Sequence, residues 1–414
     1  MRARRLATVV CVTLVLAAVI ATPASAAPTW GPQRTVDTWA WTTGSTLARD
    51  ASGDLVALTT TDFSKGSFAT DHGPYMGVFA QTSPDRGVTW STPVRVSQPN
   101  RQADRAALAV SGKSMYAAWV TQRSYDAYDP SRPRILYFRA DTGSGWGTTI
   151  ALTKKKDRVD VPSVAAAGKR VYVAWTDANS GKVLVARSGN AGAKFVTSMI
   201  GKTTAVSPAG EGDYGYPSIG ATGNVVVVAW ISSGSGAVKA RVSTNGGKTW
   251  QNAILLVGSL GFANQGTPSV RGWEGKLVVS WTTPAGLFER IWSKSWGATQ
   301  TVATFGADAL YRGGFDAQVV PFQGGQLGAV WSACRTSGCD TLSGTAQIDV
   351  VWSESNDGGN TWSPPSLVQG SLHADQRINT APSAVWLDAS TRAVGYTGRT
   401  SGWTSYAVFL RIGS

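Results

Sequence analysis

The sequence predicts an all-β fold built from repeated four-stranded sheets, and three observations lead to this prediction. Apolar strands ending in tryptophan recur at intervals of 50 to 56 residues, at Trp119, Trp175, Trp230, Trp281 and Trp331. A short word of the form S-x-D-x-G-x-T-W recurs between them. After the first 26 residues, no stretch keeps the helical period of about 3.6 residues, because Gly or Pro interrupts every run.

The first 26 residues predict a secretory signal peptide. Three arginines within the first five residues precede an apolar run from Leu6 to Ile20, and residues 24–26 supply a small-residue cleavage site. The apolar run of about 15 residues is short for a membrane span. We therefore expect a secreted, extracellular protein without membrane insertion, whose single domain covers residues 27–414.

Each repeat contains four short strands. The tryptophan-ending strand, such as "VYVAW" up to Trp175, follows a strand that begins near Pro162, Pro217 or Pro268. A third strand such as "KVLVARS" comes next, then the short word, and a fourth strand begins at the aromatic residue of that word. A sheet with two apolar faces buries both only between neighbours, so the repeats predict the ring of blades of a β-propeller.

The fourth strands determine the number of blades. Six of them follow a third strand and begin at Trp90, Trp146, Phe195, Trp250, Trp296 and Trp362. A seventh copy, "WGPQRTV" at Trp30, has no strands before it, and the C-terminus supplies three strands without a fourth. We predict seven blades, closed by pairing of the N-terminal strand with the C-terminal blade. Six blades is the alternative, if one degenerate repeat belongs to a loop.

The recurring word resembles the Asp-box (BNR) repeat of the sialidase (neuraminidase) superfamily of β-propellers. Its copies are "SPDRGVTW" from Ser83, "STNGGKTW" from Ser243 and "SNDGGNTW" from Ser355, with a worn copy, "SGNAGAKF", from Ser188. In such a turn Asp or Asn accepts hydrogen bonds from the backbone, Gly takes a positive φ, and the aromatic residue packs into the sheet. The word therefore predicts a structural turn rather than a catalytic carboxylate.

The insertions between second and third strands predict the binding face. They read "TTDFSKGSFATDHGPY", "QRSYDAYDPSRP" and "ACRTSGCDTLSGTAQ", and they lie on the face opposite the Asp-boxes. Loops on a rigid scaffold often carry function, although tolerated surface insertion is the alternative. Cys334 and Cys339, the two cysteines outside the leader, predict a disulfide bond that braces the last insertion.

The resemblance implies a catalytic set that the sequence does not match. A sialidase-like enzyme needs an arginine triad, a Tyr nucleophile polarised by Glu, and an Asp general acid. The place of the first arginine holds Thr-Gly-Ser at residues 43–45, and Ala-Pro at 381–382 stands where the nucleophile is expected. Asp71, twelve residues before Ser83, stands where the resemblance puts the general acid. We therefore expect no intact sialidase catalytic set and keep Asp71 as a candidate acid.

The segments that lead into the inner strands carry the candidate ligand-binding residues. These are Arg105, Arg158, Tyr216, Arg312 and Arg377. Four arginines around one axial mouth would attract a carboxylate or a sulfate group. The alternative is that each arginine pairs with a nearby rim carboxylate, since Asp104, Asp157, Asp316 and Asp375 are close in sequence.

Charge and composition narrow the partners. The formal net charge is +13, and it falls to +10 without the three leader arginines. Because the basic residues are scattered and export removes the chain from most nucleic acid, an acidic glycan or cell-surface polymer is the expected partner rather than nucleic acid. Two histidines far apart make no metal site. We expect no cofactor, leave loop-bound calcium open, and expect a monomer.

Three functions remain in competition at this point. The sequence favours a secreted propeller that binds carbohydrate or a cell-surface polymer through the inserted face, without catalysis. One alternative is a divergent, exo-acting glycoside hydrolase of the same superfamily that uses Asp71. The other is a protein-interaction scaffold, for which a flat face is sufficient.

Overall fold

The fold is a seven-bladed β-propeller. The computed structural model describes residues 27–37, 44–62, 76–99, 102–122, 134–154, 157–204, 216–233, 236–261, 267–306, 309–335, 347–373, 382–399 and 406–414. Within these ranges, 28 strands form seven antiparallel four-stranded sheets. The prediction of seven blades is confirmed, and the six-blade alternative is wrong, because every fourth strand pairs in a sheet of its own.

Six blades use four consecutive strands, from the axis outwards. Blade 1 contains β2 (Gly44–Arg49), β3 (Leu55–Asp62), β4 (Met76–Ser83) and β5 (Val94–Arg95). Blade 2 contains β6 (Gln102–Ser111), β7 (Ser114–Gln122), β8 (Arg134–Asp141) and β9 (Ile150–Ala151). Blade 3 contains β10 (Val159–Ala167), β11 (Arg170–Asp177), β12 (Lys182–Ser188) and β13 (Val196–Lys202).

The second half of the ring follows the same order. Blade 4 contains β14 (Ser218–Thr222), β15 (Val225–Ile231), β16 (Val238–Ser243) and β17 (Ile254–Val257). Blade 5 contains β18 (Ser269–Trp273), β19 (Lys276–Thr283), β20 (Gly286–Ser293) and β21 (Ser295–Thr304). Blade 6 contains β22 (Gly313–Pro321), β23 (Leu327–Cys334), β24 (Gln347–Ser355) and β25 (Ser366–His373), with a 3-10 turn (Gln323–Gly325) between its first two strands.

Blade 7 joins the two ends of the chain. It contains β26 (Ser383–Trp386), β27 (Arg392–Arg399), β28 (Tyr406–Gly413) and, as its outermost strand, β1 (Arg34–Asp37). Arg34 lies opposite Leu410 in this pairing. The N–H of Thr29 donates to the carbonyl of Ser414 at 2.9 Å, and the N–H of Ser414 donates back at 3.1 Å. The predicted closure of the ring is therefore confirmed.

The recurring tryptophans form the core between blades. Trp119, Trp175, Trp230, Trp281 and Trp331 are at most 2% exposed. Each one packs in an apolar cluster that combines its own blade with the preceding one. Burial of one such side chain stabilises the fold by about 1.5–3 kcal/mol or more, so the 50-residue spacing marks the interfaces that hold the ring together.

The Asp-boxes are turns closed by their own side chains. The hydroxyl of Ser83 donates to Oδ1 of Asp85 at 2.8 Å and accepts the N–H of Gly87 at 2.7 Å. Asp85 also accepts the N–H of Thr89 at 2.8 Å. The same pattern of bonds recurs in the turns that begin at Ser188, Ser243 and Ser355. The Asp-box residues are therefore structural, as predicted.

The glycine at the fifth position of each Asp-box also contacts the preceding blade. A Cβ atom added at Gly87 would overlap Leu410 of blade 7, and one at Gly192 would overlap Phe138 of blade 2. Glycine is thus required here for close approach as well as for its positive φ, which is 87° at Gly192. The Asp-box sets the distance between blades in addition to closing its own hairpin.

Serines of the inner strands bond across to the next blade. Ser163 accepts the N–H of Ile219 at 3.1 Å, and Ser218 accepts the N–H of Val270 at 2.9 Å. Ser383 accepts the N–H of Leu47 at 3.0 Å, which links blade 7 to blade 1. These bonds satisfy inner-strand donors that have no further strand beside them, and they fix the relative height of neighbouring blades.

The predicted disulfide bond and the predicted lack of a membrane span depend on which residues the structure describes. Cys334 ends β23 and is buried, but Cys339 lies outside the described residues, so the disulfide bond stays a prediction. In the part of the chain that the structure describes, no helix has the length and apolar character needed to cross a membrane.

Candidate functional site

Strand order places the beginnings of all inner strands on one face of the ring. The second strand of each blade ends on this face and the third strand begins there, since neighbouring strands are antiparallel. We call this the loop face, because the insertions at 63–75, 123–133 and 336–346 leave from it. These insertions lie outside the described residues, and so do Asp71 and Arg377. Both residues therefore stay predictions.

Four blades share a backbone irregularity near the loop face, within the inner strand in blades 2, 3 and 6 and just before it in blade 4. Four non-glycine residues there have positive φ, namely Arg105 (51°), Val161 (37°), Tyr216 (31°) and Asp316 (52°). In β6, β10 and β22 the strand register shifts at this place, as it does in a β-bulge. The four positions are equivalent by strand register. In each blade, the residue three positions after the positive-φ residue pairs with the residue two positions before the core tryptophan. We call these four the mouth residues.

The shared conformation is informative because it is costly. A non-glycine residue at positive φ costs on the order of 1 kcal/mol or more, and such strain concentrates at functional sites. A bulge re-aims the side chain that it carries. The fold therefore places equivalent positions of positive φ around the axis in blades 2, 3, 4 and 6, and a register shift accompanies them in blades 2, 3 and 6.

Two predicted binding residues, Arg105 and Tyr216, are mouth residues. Both are half-buried. Tyr216 packs its ring against the apolar cluster between blades 4 and 5. The structure therefore brings a guanidinium and a phenol to equivalent positions two blades apart on one face.

The other two mouth residues, Val161 and Asp316, are not among the predicted binding residues, and the sequence offered Asp316 only as a rim carboxylate. Asp316 is half-buried, and burial raises the pKa of its carboxyl group to about 6. A carboxyl group that titrates near neutral pH in a cleft is a candidate acid or base. Spacing alone does not find it, since Arg105 lies 14 residues before Trp119 whereas Asp316 lies 15 residues before Trp331. The strand register shows the equivalence, because Leu108 and Val319 each pair with the residue two positions before the core tryptophan.

Arg158 and Arg312 lie on the loop face but not at the mouth positions. The carbonyl of Arg158 accepts the N–H of Ala178 at 2.8 Å, and its backbone bridges to Arg134 at the start of β8. This places Arg158 at the junction of blades 2 and 3. Arg312 is exposed, and its N–H donates to the carbonyl of Cys334 at 2.8 Å.

A buried polar cluster supports the base of the third insertion. The guanidinium of Arg335 pairs with the carboxylate of Asp349, which is 1% exposed. Burial, together with the charge of Asp349, raises the pKa of Tyr311 to about 12. Tyr311 therefore stays protonated and serves to hold Asp349 and Arg335, so the cluster fixes the direction in which the chain leaves β23.

Among the residues that the structure describes, no group of three or more His, Cys, Asp or Glu side chains could hold a metal ion. The inserted loops are not among them, so the question of loop-bound calcium stays where the sequence left it.

Comparison with known proteins identifies the fold. No protein-family model matches the chain, and no curated protein matches its sequence. Among solved structures, a leech intramolecular trans-sialidase complexed with 2,7-anhydro-Neu5Ac is similar, with a TM-score of 0.50 and 11% identity over 72% of this chain and 65% of that one. This likeness shows a sialidase-like propeller fold, in agreement with the Asp-box resemblance.

Two further similar structures are sialidases. Trypanosoma rangeli sialidase in complex with the inhibitor DANA has a TM-score of 0.46 and 11% identity, over 91% of this chain and 55% of that one. A Hadza microbial sialidase has a TM-score of 0.48 and 13% identity, over 92% and 65%. The chain thus spans 55% to 65% of the length of these three structures.

Proposed function

We propose that this protein is a secreted propeller that binds carbohydrate or an acidic cell-surface polymer on its loop face, without hydrolysing it. The observation that carries the proposal is the set of mouth residues, which repeat one strained backbone position in four blades. The three insertions leave from the same face. A rigid ring with costly, re-aimed positions and long loops on one side is the arrangement expected of a binding face.

The chemistry of the mouth suits an acidic glycan. The guanidinium of Arg105 can donate paired hydrogen bonds to a carboxylate or sulfate group. The ring of Tyr216 offers an apolar face to a sugar and a hydroxyl to its polar edge. The formal net charge of +13 adds long-range attraction for a polyanion.

The residues at the positions of the expected catalytic set support binding over hydrolysis. Thr-Gly-Ser at 43–45 stands where the resemblance expects an arginine, and Ala-Pro at 381–382 stands where it expects a tyrosine. The first segment therefore has no guanidinium to hold a carboxylate, and the second has no phenol to act as a nucleophile.

A glycan array tests the proposal. We expect acidic glycans to bind wild type at low salt and to lose most of their signal in Arg105→Asn and Tyr216→Asn. Asparagine is chosen because it tolerates positive φ better than most residues, so the loss reports the side chain. Arg170→Gln, at an exposed arginine on the opposite face, is the matched control and should bind as wild type. Silence of wild type on both acidic and neutral glycans would reject the proposal.

A divergent, exo-acting glycoside hydrolase is the second candidate, and one observation favours it. Asp316 holds a carboxyl group at the mouth whose pKa of about 6 suits a general acid. Fluorogenic sialoside, uronide and neutral glycoside substrates would reveal hydrolysis. If one of them is cleaved, Asp316→Asn and Asp71→Asn should be compared, since activity that persists in one variant removes that residue from the acid role.

The third candidate, a protein-interaction scaffold, gains little from the described residues. The large exposed apolar side chains among them, such as Val94, Met199, Leu255 and Leu367, lie on the outer strands of four different blades. Scattered apolar side chains are normal on soluble proteins and do not make a docking patch.

A further inference from the structure

The axial channel contains a cavity that the binding face does not include. Its volume is about 350 Å³, and all seven inner strands contribute consecutive residues to its wall, two from β22 and three or more from each of the others. The wall is made largely of small residues such as Ala48, Ala109, Ala165 and Gly220. It also reaches Asp50 and Phe322, which follow the inner strands at their hairpins. The cavity therefore extends toward the Asp-box face, away from the loop face.

Two inner-strand positions in this wall are charged in a single blade. They are Arg49, which is exposed at the end of β2, and Arg271, which is half-buried in β18. Arg271 pairs with Val278 in blade 5, and the residues equivalent to it by strand register are Ala48, Ala109, Ala165, Gly220, Val320 and Val385. All six are uncharged and smaller. The channel thus holds a guanidinium at a height where the other six blades leave room.

The partners of Arg271 do not neutralise it. Its Nη1 donates to the carbonyl of Val270 at 3.2 Å, and its Nη2 donates to Oε1 of Gln318 at 3.0 Å. Both acceptors are neutral, and burial alone lowers the pKa of the guanidinium. Asp50, the carboxylate in the cavity wall, accepts the N–H groups of Ser52 and Asp54 in its own turn.

We propose that Arg271 binds a compact oxyanion, a sulfate, phosphate or carboxylate group, inside the axial channel. A guanidinium carries five N–H donors in a fixed fork, and two of them make the bonds described above. An oxyanion can accept two parallel bonds from such a fork. A cavity of this volume is at the lower end of the range for small-molecule sites, so a group as large as one sugar acid fits.

Titration with simple anions tests this site. Sodium sulfate, phosphate, acetate and glucuronate are added at constant ionic strength with chloride, and binding is followed by calorimetry and by melting temperature. Wild type should respond to at least one of them with a saturable curve. Arg271→Gln should bind that anion more than tenfold more weakly, and Arg170→Gln should bind it as wild type. A preference for glucuronate over acetate identifies a sugar acid, and a preference for sulfate or phosphate over both identifies a free inorganic anion.

A second variant keeps the test decisive if Arg271→Gln folds poorly. Ala109→Leu fills the cavity from blade 2 and leaves the arginine of blade 5 unchanged. It should also weaken binding more than tenfold. The proposal is overturned if wild type shows no saturable response to any of the four anions, or if Ala109→Leu binds as wild type.

Discussion

At the scale of single residues, Glu289 is the most unusual side chain of the described core. It is fully buried on β20, and neither of its carboxylate oxygens has a hydrogen-bond partner among the described residues. The equivalent positions in blades 2, 3 and 4 hold Phe138, Val185 and Ala240. Burial raises the pKa of Glu289 to about 8, so the group is protonated at neutral pH.

The raised pKa predicts how stability depends on pH. In the unfolded chain Glu289 ionises near 4.5, whereas in the folded chain it ionises near 8. The folded state therefore holds the proton in this interval, and stability should fall from about pH 4.5 to about pH 8 by up to about 1.4 kcal/mol per pH unit. Above that pH the loss from this group is complete.

Glu289→Gln should flatten this part of the profile, because the amide does not ionise. Urea unfolding at intervals from pH 5 to pH 9 measures it, and the variant should exceed wild type in stability at pH 8. Glu274→Gln, at an exposed glutamate on the β18–β19 turn, is the control and should keep the wild-type slope. Parallel profiles for wild type and Glu289→Gln would contradict the prediction.

A second residue-scale prediction concerns Asp85 in the first Asp-box. The hydroxyl of Thr89 and then its backbone N–H lower the pKa of Asp85 to about 2. The carboxylate form thus supports the folded state, and its contribution should be lost as pH falls below about 3.8 toward 2.

Asp85→Ala should lower the melting temperature more than Asp85→Asn, because Asn245 fills the same role in blade 4. Differential scanning calorimetry at pH 7 compares the two variants. Equal melting temperatures would show that the side-chain oxygen is not what closes the turn.

At the scale of elements, the Asp-box turn and its glycine define the spacing of blades. Sequence reasoning predicted the turn from Asp, Gly and Trp at fixed offsets. It did not predict that the glycine contacts the blade before it, because Phe138 is more than 50 residues from Gly192 in sequence. A short sequence motif predicts the hydrogen bonds within its own turn. A contact between blades depends instead on how the ring of blades closes.

Gly192→Ala should therefore cost more stability than Gly168→Ala. Both glycines have positive φ, 87° and 60°, but a Cβ at Gly168 meets nothing within 4 Å. We expect about 1 kcal/mol for the control, from backbone strain, and about 1–3 kcal/mol more for Gly192→Ala, from displacement of the Phe138 ring. Chemical denaturation measures the free energy of unfolding of both variants. Equal losses would show that the Phe138 side chain moves aside without an energetic cost.

The outer strands show where sequence reasoning loses accuracy at this scale. A fourth strand was predicted from Trp90, but β5 covers only Val94–Arg95. Similarly, the strand predicted from Trp362 begins at Ser366. The same delay of four residues occurs without proline after Trp146 and Trp250, whose strands begin at Ile150 and Ile254. The residue after the aromatic instead bonds singly to the third strand, as the N–H of Ser91 does to the carbonyl of Thr82 at 2.9 Å.

At the scale of the whole molecule, the ring was predictable and the mouth was only partly so. Counting fourth strands led to seven blades because each one carries an aromatic marker. The mouth residues carry no such marker, since positive φ is usually signalled by Gly or Asn and here falls on Arg105, Val161, Tyr216 and Asp316. For Arg105, Val161 and Asp316 the geometry accompanies a register shift in the inner strand, which the residue types alone do not reveal.

Ring closure itself can be tested by removing the first strand. A chain that begins at residue 38 lacks β1, so β28 becomes an unpaired edge. We expect a much lower melting temperature and concentration-dependent aggregation in size-exclusion chromatography. Removal of residues 27–28 alone, which precede the hydrogen bonds of Thr29, is the control. If the deletion variant and the intact chain had the same melting temperature, β1 would contribute nothing to closure of the ring.

The meeting of residues 29 and 414 also determines how the molecule can be tethered. Gly413 ends β28 and Arg34 begins β1, and both points lie on the side of the wheel that carries the Asp-boxes. A bead, a fluorophore or a fusion partner attached through either end of this chain would lie on the Asp-box face of the propeller. Immobilisation at either end should therefore leave the loop face pointing into solution and accessible to a ligand added there.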